Sequence, residues 1–407
     1  MNISPRPLLR KIRENFWLSG IFLTIVTSAF TLVIFNNLSI AKLAENHLSD
    51  VRIAMLSRPL PQSTHIAIIL ITDKTLENYP YRSPLDRSLI TEILEKLDSS
   101  SVAGIGINVL FDRPTEPVKD DALYQKLQQL SVPVVASQVS SSSGFSASQI
   151  QYSNQFLKNI RTGLSTIYRD PVDHTIRAAI LRKVQGRTVH LGFSAKLADV
   201  FGLALPPDEK INIDYRSGPD YATTAFPVYL AHELDAVPSS WLQNRIVLIG
   251  TDLGSSSRLR TPLSILSSGF DRDLPGVVVE AHILSQIIEG RTLNFAGINE
   301  KLLYVVLMAA LGCLISSLTI RFFFKLVIIL MVVPASWMVA FSIYYFGNHI
   351  VPMVAPTVAF LAAIVFSIFW QWRAEQQKRE RIHHSFGQYL APSVVEKILS
   401  NSEDLDL

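Results

Sequence analysis

His65-Ile-Ala-Ile-Ile-Leu-Ile-Thr-Asp73 decides the fold. Its unbroken aliphatic run shows no polar alternation, so it predicts a strand buried on both faces and ending in a carboxylate. The segments downstream extend this pattern. Asp86–Leu97, DRSLITEILEKL, places Ile90, Ile93, Leu94 and Leu97 at helical spacing. Val102–Phe111 predicts the next strand, Asp121–Leu130 a second helix and Val132–Ala136 a third strand. Later, Arg245–Thr251, RIVLIGT, predicts another strand, and Gly276–Glu289 has a strand-to-helix or helical pattern. Strands alternating with helices predict an α/β domain whose largely parallel sheet is covered on both faces.

Apolar runs flank this domain. Phe16–Phe35, FWLSGIFLTIVTSAFTLVIF, follows Arg6, Arg10, Lys11 and Arg13. It is long enough to cross a bilayer, which takes about 20 residues. A cleaved signal peptide is the competing reading, but the run is long for one and no small-x-small site follows it. Three further runs are Leu302–Ile320, Leu326–Phe346 and Ile350–Trp370. Arg321 and Lys325 separate the first two, whereas Phe346-Gly347-Asn348-His349 carries no Lys or Arg. Arg373, Lys378, Arg379 and Arg381 follow the last run. Positive charge therefore predicts cytoplasmic placement for the N-terminus, the 321–325 turn and the tail. Four crossings put both ends inside and the intervening domain outside, so parity and charge agree.

The expected organisation is a cytoplasmic N-terminus (1–15), a first transmembrane helix (16–35) and an extracytoplasmic α/β sensor domain (36–300). Transmembrane helices at 302–320, 326–346 and 350–370 follow, then a cytoplasmic helical connector (371–407). Such a chain belongs in a bacterial inner membrane. The last three runs contain no Asp, Glu, Lys or Arg, which argues against an ion or proton path. Pro334, Pro352 and Pro356 lie in or near the last two runs and are read as structural.

A single cysteine, Cys313, excludes an internal disulfide framework, and the net charge of +3 has no basic run pointing to nucleic acid. Asp73 and Asp112 stand at predicted strand ends, where α/β sheets place ligand sites and where aspartates also cap helices. Glu280 and His282 are two residues apart, on different faces of a helix, and with His232 they have no metal-ligand spacing. Gly250–Ser257 lacks both a Walker lysine and a GxGxxG fingerprint, and Ser255–Ser257 is no nucleophile elbow. Ser137–Ser148 reads as a low-complexity loop. No catalytic constellation and no cofactor or metal site is expected in the chain.

In order, Asp50-Val-Arg52, Arg82-Ser-Pro-Leu-Asp-Arg87, Gly104–Pro117 and Lys119-Asp120 resemble the type-two CHASE family of extracellular sensors. Arg245–Gly250, Thr261-Pro262 and Gly276–His282 continue the resemblance, which covers about residues 45–295. It implies a sensor-motif set of Asp50, Arg52, Asp73, Arg87, Asn108, Asp112, Glu280 and His282. Two departures stand out. Asn108 occupies a position where the family commonly has Asp, and Arg258 and Arg260 stand where an acid commonly precedes Thr-Pro.

Beyond the membrane, Phe386-Gly-Gln-Tyr389-Leu-Ala-Pro392 and Val394–Leu399 resemble the connector into membrane-bound class III nucleotide cyclases. Trp372–Arg381 suits a helix leaving the last span, Pro392 would break it, and Ser393–Glu396 has capping-box spacing for a new helix. A basic juxtamembrane helix held by anionic lipid is the alternative. The resemblance implies Phe386, Tyr389 and Pro392 as transducer residues, a homodimer, and conversion of ATP to cyclic AMP by a downstream domain holding Mg or Mn. No cyclase metal-binding motif follows Leu399, so the chain itself is expected to be inactive. A stand-alone membrane sensor and the input half of a sensor kinase are the other readings. The expected partners are membrane lipid, a second copy and an unidentified extracytoplasmic ligand or protein, with no nucleic acid.

Overall fold

The computed structural model describes residues 16–139, 144–165, 167–220, 222–254, 258–265 and 273–386. They form two compact units. One comprises the chain through Glu45, Ala296–Ala340 and the chain from Val351 on; the other comprises Asn46–Phe295 with Phe341–Ile350.

The second unit is built on six parallel strands: β1 (Ile66–Thr72), β2 (Gly104–Asn108), β3 (Val134–Gln138), β4 (Arg161–Leu164), β5 (Val228–Leu230) and β6 (Ile246–Asp252). Their order is β5-β1-β6-β2-β3-β4, and every neighbouring pair is parallel. Helices cover both faces, as the long aliphatic runs require. One face meets α3 (Arg87–Ser99) and α4 (Pro117–Gln129), with Ile69, Ile71, Ile105, Ile107 and Val247 packing against Ile90, Leu94 and Leu123. The other meets α6 (Phe193–Val200) and α7 (Gly276–Glu289), with Ile68, Leu248, Leu197, Val277 and Ala281 in its core. Burying each large aliphatic side chain contributes about 1.5–3 kcal/mol. Glycine at 106 permits the close approach of α6, because a Cβ there would lie 2.6 Å from Leu248 and 2.8 Å from Leu197. Helix α5 (Ala147–Phe156) connects β3 to β4, and α2 (Ser39–Leu56) precedes the sheet. Short antiparallel pairings between 167 and 212 complete the domain.

The other unit holds helices α1 (Phe16–Asn37), α8 (Ile298–Ser317), most of α9 (Phe322–Gly347) and α10 (Val354–Phe386). All four are long and apolar enough to cross a membrane. Close approach of α8 and α10 depends on Gly312, where a Cβ would lie 2.6 Å from the Phe360 carbonyl. This is the packing that small residues give membrane helices. The last helix begins at Val354, whereas the apolar run begins at Ile350. Pro352 disfavours helix at Val351, and Ile350 pairs with Phe295 as a short strand. Lys325, expected in a turn, lies in the first turn of α9, where its Nζ donates to the Ser316 carbonyl at 2.9 Å. Pro356 falls in the first turn of α10, where no helical N–H is lost.

Candidate functional site

The motif residues form three separate polar clusters and do not converge on one cleft. The first is centred on Arg177. Its Nε and Nη2 donate to the two Asp50 oxygens, each at 2.6 Å, while Nη1 and Nη2 reach Asp173 at 2.9 and 2.6 Å. Asp170 lies 3.4 Å away. Arg177 fills the space between three carboxylates, and all the side chains except that of Asp170 are nearly buried. Burial pushes the Asp50 carboxyl above its usual range despite Arg177. Burial also opposes ionisation of Asp173, but the bonds from Arg177 and the Thr175 N–H outweigh it and hold that group at about 2. Arg52, two residues from Asp50, is wholly buried and donates to Ser49 at 3.2 Å within α2.

The second cluster joins the pieces at 82–87, 112–117 and 119–120. Arg87 is fully buried, donating to Asp120 at 3.0 Å and to the carbonyls of Leu85 and Arg113 at 3.1 and 2.9 Å. Its guanidinium also stacks over Phe111, 4.9 Å from the ring centre. Asp86 caps α3 by accepting from the Ser88 N–H at 2.9 Å and pairs with Lys119 at 2.6 Å. The cluster fastens the loop after β2 to the start of α3.

The third lies along α7, most of whose residues are buried. Glu280 accepts a short hydrogen bond from the Ser194 hydroxyl, which also lies 2.9 Å from the Glu280 carbonyl. One hydroxyl hydrogen cannot serve both oxygens. A protonated Glu280 that donates to Ser194 satisfies both, and burial correspondingly raises its pKa to about 7. His282 accepts from the Arg216 N–H at 3.1 Å through Nδ1, between the rings of Tyr215 and Phe226. Burial, with Arg291 and Arg216 nearby, lowers it to about 3, so the ring is neutral.

The remaining predicted residues sit at strand ends. Asp73 does not cap the turn after β1: Thr72 does, accepting from the Thr75 N–H, because a residue must precede the first helical position to cap it. Asp73 instead pairs with Arg82 at the surface. Asp112 does not cap α4 either, since Glu116 is the N-cap residue and Pro117 opens the helix. It accepts from Gln149 at 2.6 Å. Asn108 donates to the buried Ser137 hydroxyl at 3.0 Å. His232 lies 3.2 Å from the Thr75 hydroxyl, apart from Glu280 and His282. Phe386 ends α10, and Tyr389, Pro392 and Ser255–Ser257 lie outside the described residues.

The sequence matches the model of the CHASE2 domain over residues 24–316. The chain belongs to the CHASE2 family. CHASE2 domains are extracellular sensor domains of signalling receptors. No curated protein and no solved structure matches the chain. The matched stretch opens inside α1 and closes inside α8, so the CHASE2 region includes parts of two apolar helices. Within it, Arg258 forms a bidentate pair with Asp252 at 2.8 Å on both arms. Sequence reading missed Arg177, Arg216 and Arg291. Each takes a partner far away in the sequence, Asp50, Glu289 and Asp214 respectively, so no local spacing marks them.

Proposed function

We propose that this chain is the input and membrane portion of a bacterial receptor that governs a class III nucleotide cyclase. The observation carrying the reading is a CHASE2 match among four apolar helices, the last of which continues past its apolar stretch through Arg373–Glu380 to Phe386. A helix continuing out of a membrane transmits displacement, which a loose tail would not. The sensor lies outside the membrane, both termini are cytoplasmic, and two copies pair through the spans and the tail helix. Mg or Mn belongs to the cyclase domain and is not bound by this chain.

Helix α2 supplies a means of coupling. Asp50 on it binds Arg177, and one and a half turns earlier Glu45 accepts from the N–H groups of Met353, Val354 and Ala355 at 2.7, 2.9 and 3.2 Å. Those N–H groups are the unsatisfied donors at the start of α10, so Glu45 acts as a carboxylate cap from a different helix. A shift of α2 changes the seating of the helix that leads to the output.

The test is cyclic nucleotide production in membranes by a chimera with a class III catalytic domain joined after Leu399. Glu45→Ala is expected to change output severalfold at equal membrane-inserted protein. Equal output from parent and variant would remove the cyclase reading in favour of a stand-alone sensor or the input half of a sensor kinase.

A further inference from the structure

Two cavities differ in chemistry. A cleft of about 750 Å³ among α1, α8 and α10 is walled mainly by apolar span residues, a surface that acyl chains fill without selectivity. The other, about 350 Å³, is lined by three arginines, Arg58, Arg216 and Arg291, together with Asp214, Tyr344 and Asn348. That volume suits a small ligand.

The charges in its wall do not balance. Arg291 pairs with Asp214 at 2.7 Å and with Glu289 at 2.8 Å, and Glu289 is shared with Arg216 through a shorter bond. Arg58 has no carboxylate partner among the described residues and donates to the carbonyls of Tyr345 and Phe346 at 2.8 and 3.4 Å. Three guanidinium groups therefore meet two carboxylates. Arg216 is only 7% exposed, yet its Nε is buried without a hydrogen-bond partner. A buried unpaired donor is costly, and burial with Arg291 nearby holds this guanidinium below its usual range. An anion in the cavity would supply the missing charge beside this guanidinium.

Geometry also indicates the kind of anion. Tyr344, Tyr345 and Phe346 belong to the last turns of α9, a candidate span, and aromatic residues at span ends favour headgroup depth. Guanidinium forks match phosphate oxygens, which accept several charge-assisted bonds at once. We propose that this cavity is a phosphate-binding site of the sensor, taking either a phospholipid headgroup or a free phosphate ester. The lipid source rests on α9 crossing the membrane. Neither source depends on which output domain the receptor governs.

The experiment follows thermal unfolding of the full chain in neutral detergent, titrated with inorganic phosphate against chloride at constant ionic strength. A saturable rise in melting temperature is expected. Arg58→Gln, which leaves the bonds of Arg216 to Glu289 and Pro61 intact, should weaken the apparent affinity about tenfold, the effect of losing one charge-assisted bond. In nanodiscs, greater stability with phosphatidylglycerol than with phosphatidylcholine, lost in Arg58→Gln, assigns the site to a lipid headgroup. Equal stability in the two lipids with the phosphate response retained assigns it to a free phosphate. No saturable response to phosphate or to phosphatidylglycerol, or a response unchanged by Arg58→Gln, overturns the proposal.

Discussion

Replacing Arg177 by methionine isolates the tie between α2 and the sensor core. Methionine keeps much of the apolar stem but removes four short N–H contacts to Asp50 and Asp173. Asp50 and Asp173 are only 6% and 8% exposed at their side chains, so water cannot replace the lost cation. Breaking one partner out of a buried ion pair costs about 3–5 kcal/mol. For a domain of this size that lowers the melting temperature by about 10 °C. Asp50 already titrates above its usual range because burial outweighs Arg177. Without Arg177 it rises further, and a raised carboxylate contributes stability at low pH that is lost as pH climbs. The penalty should therefore be smaller at acid than at alkaline pH, and Asp50→Asn should recover part of it in the Arg177→Met background. The assay is thermal unfolding of the full chain in detergent at several pH values, as a double-mutant cycle. A shift under about 2 °C, or no recovery from Asp50→Asn at neutral pH, would refute the reasoning.

Glu280→Gln should have a pH-dependent effect. Its folded-state pKa, about 7, exceeds the ordinary 4.5, so its stabilising contribution is complete below 4.5 and lost as pH rises through 7. Relative to the parent, the variant should gain up to about 3 kcal/mol at pH 8 and nothing at pH 4. Comparing the two proteins at each pH cancels the neighbouring His282, and a constant difference across that range would rule out a protonated Glu280. Gly106→Ala should destabilise by about 1–3 kcal/mol in denaturant unfolding, because its Cβ meets Leu248, Leu197 and Phe193 within 3.0 Å. Reporter fusions should show Asn348 on the same side of the membrane as the sensor and Thr319 on the opposite side; matching sides would break the four-crossing arrangement.

The strands that sequence revealed are those buried on both faces. Ile66–Thr72 and Ile246–Asp252 declare themselves because neither face tolerates a polar residue, and α3 because Ile90, Ile93, Leu94 and Leu97 share one face. The edge strands Arg161–Leu164 and Val228–Leu230 gave no such signal. They are short and part-exposed, and pairing with β3 and β1 defines them more than their own residues do. Insertion of β6 between β1 and β2 is equally silent, since it joins segments far apart in sequence. The polar clusters were half legible: Asp50 and Arg87 were singled out, but Arg177, 127 positions from Asp50, had no local mark.

That asymmetry bears on how the sensor works. Residues selected by motif include Asp50, Arg87 and His282, all buried and each bonded to a protein partner, which suits them to hold elements in register. A ligand needs groups with bonding capacity to spare, and here that capacity lies at Arg216 and Arg58, outside the motif. The two sets meet on α7 and the segment facing it, because the N–H bound by His282 is that of Arg216 itself. Occupation of the cavity would then act on a backbone that neutral His282 already holds fixed. A buried neutral histidine gives that hold little pH sensitivity above about pH 5, a consequence of its pKa near 3.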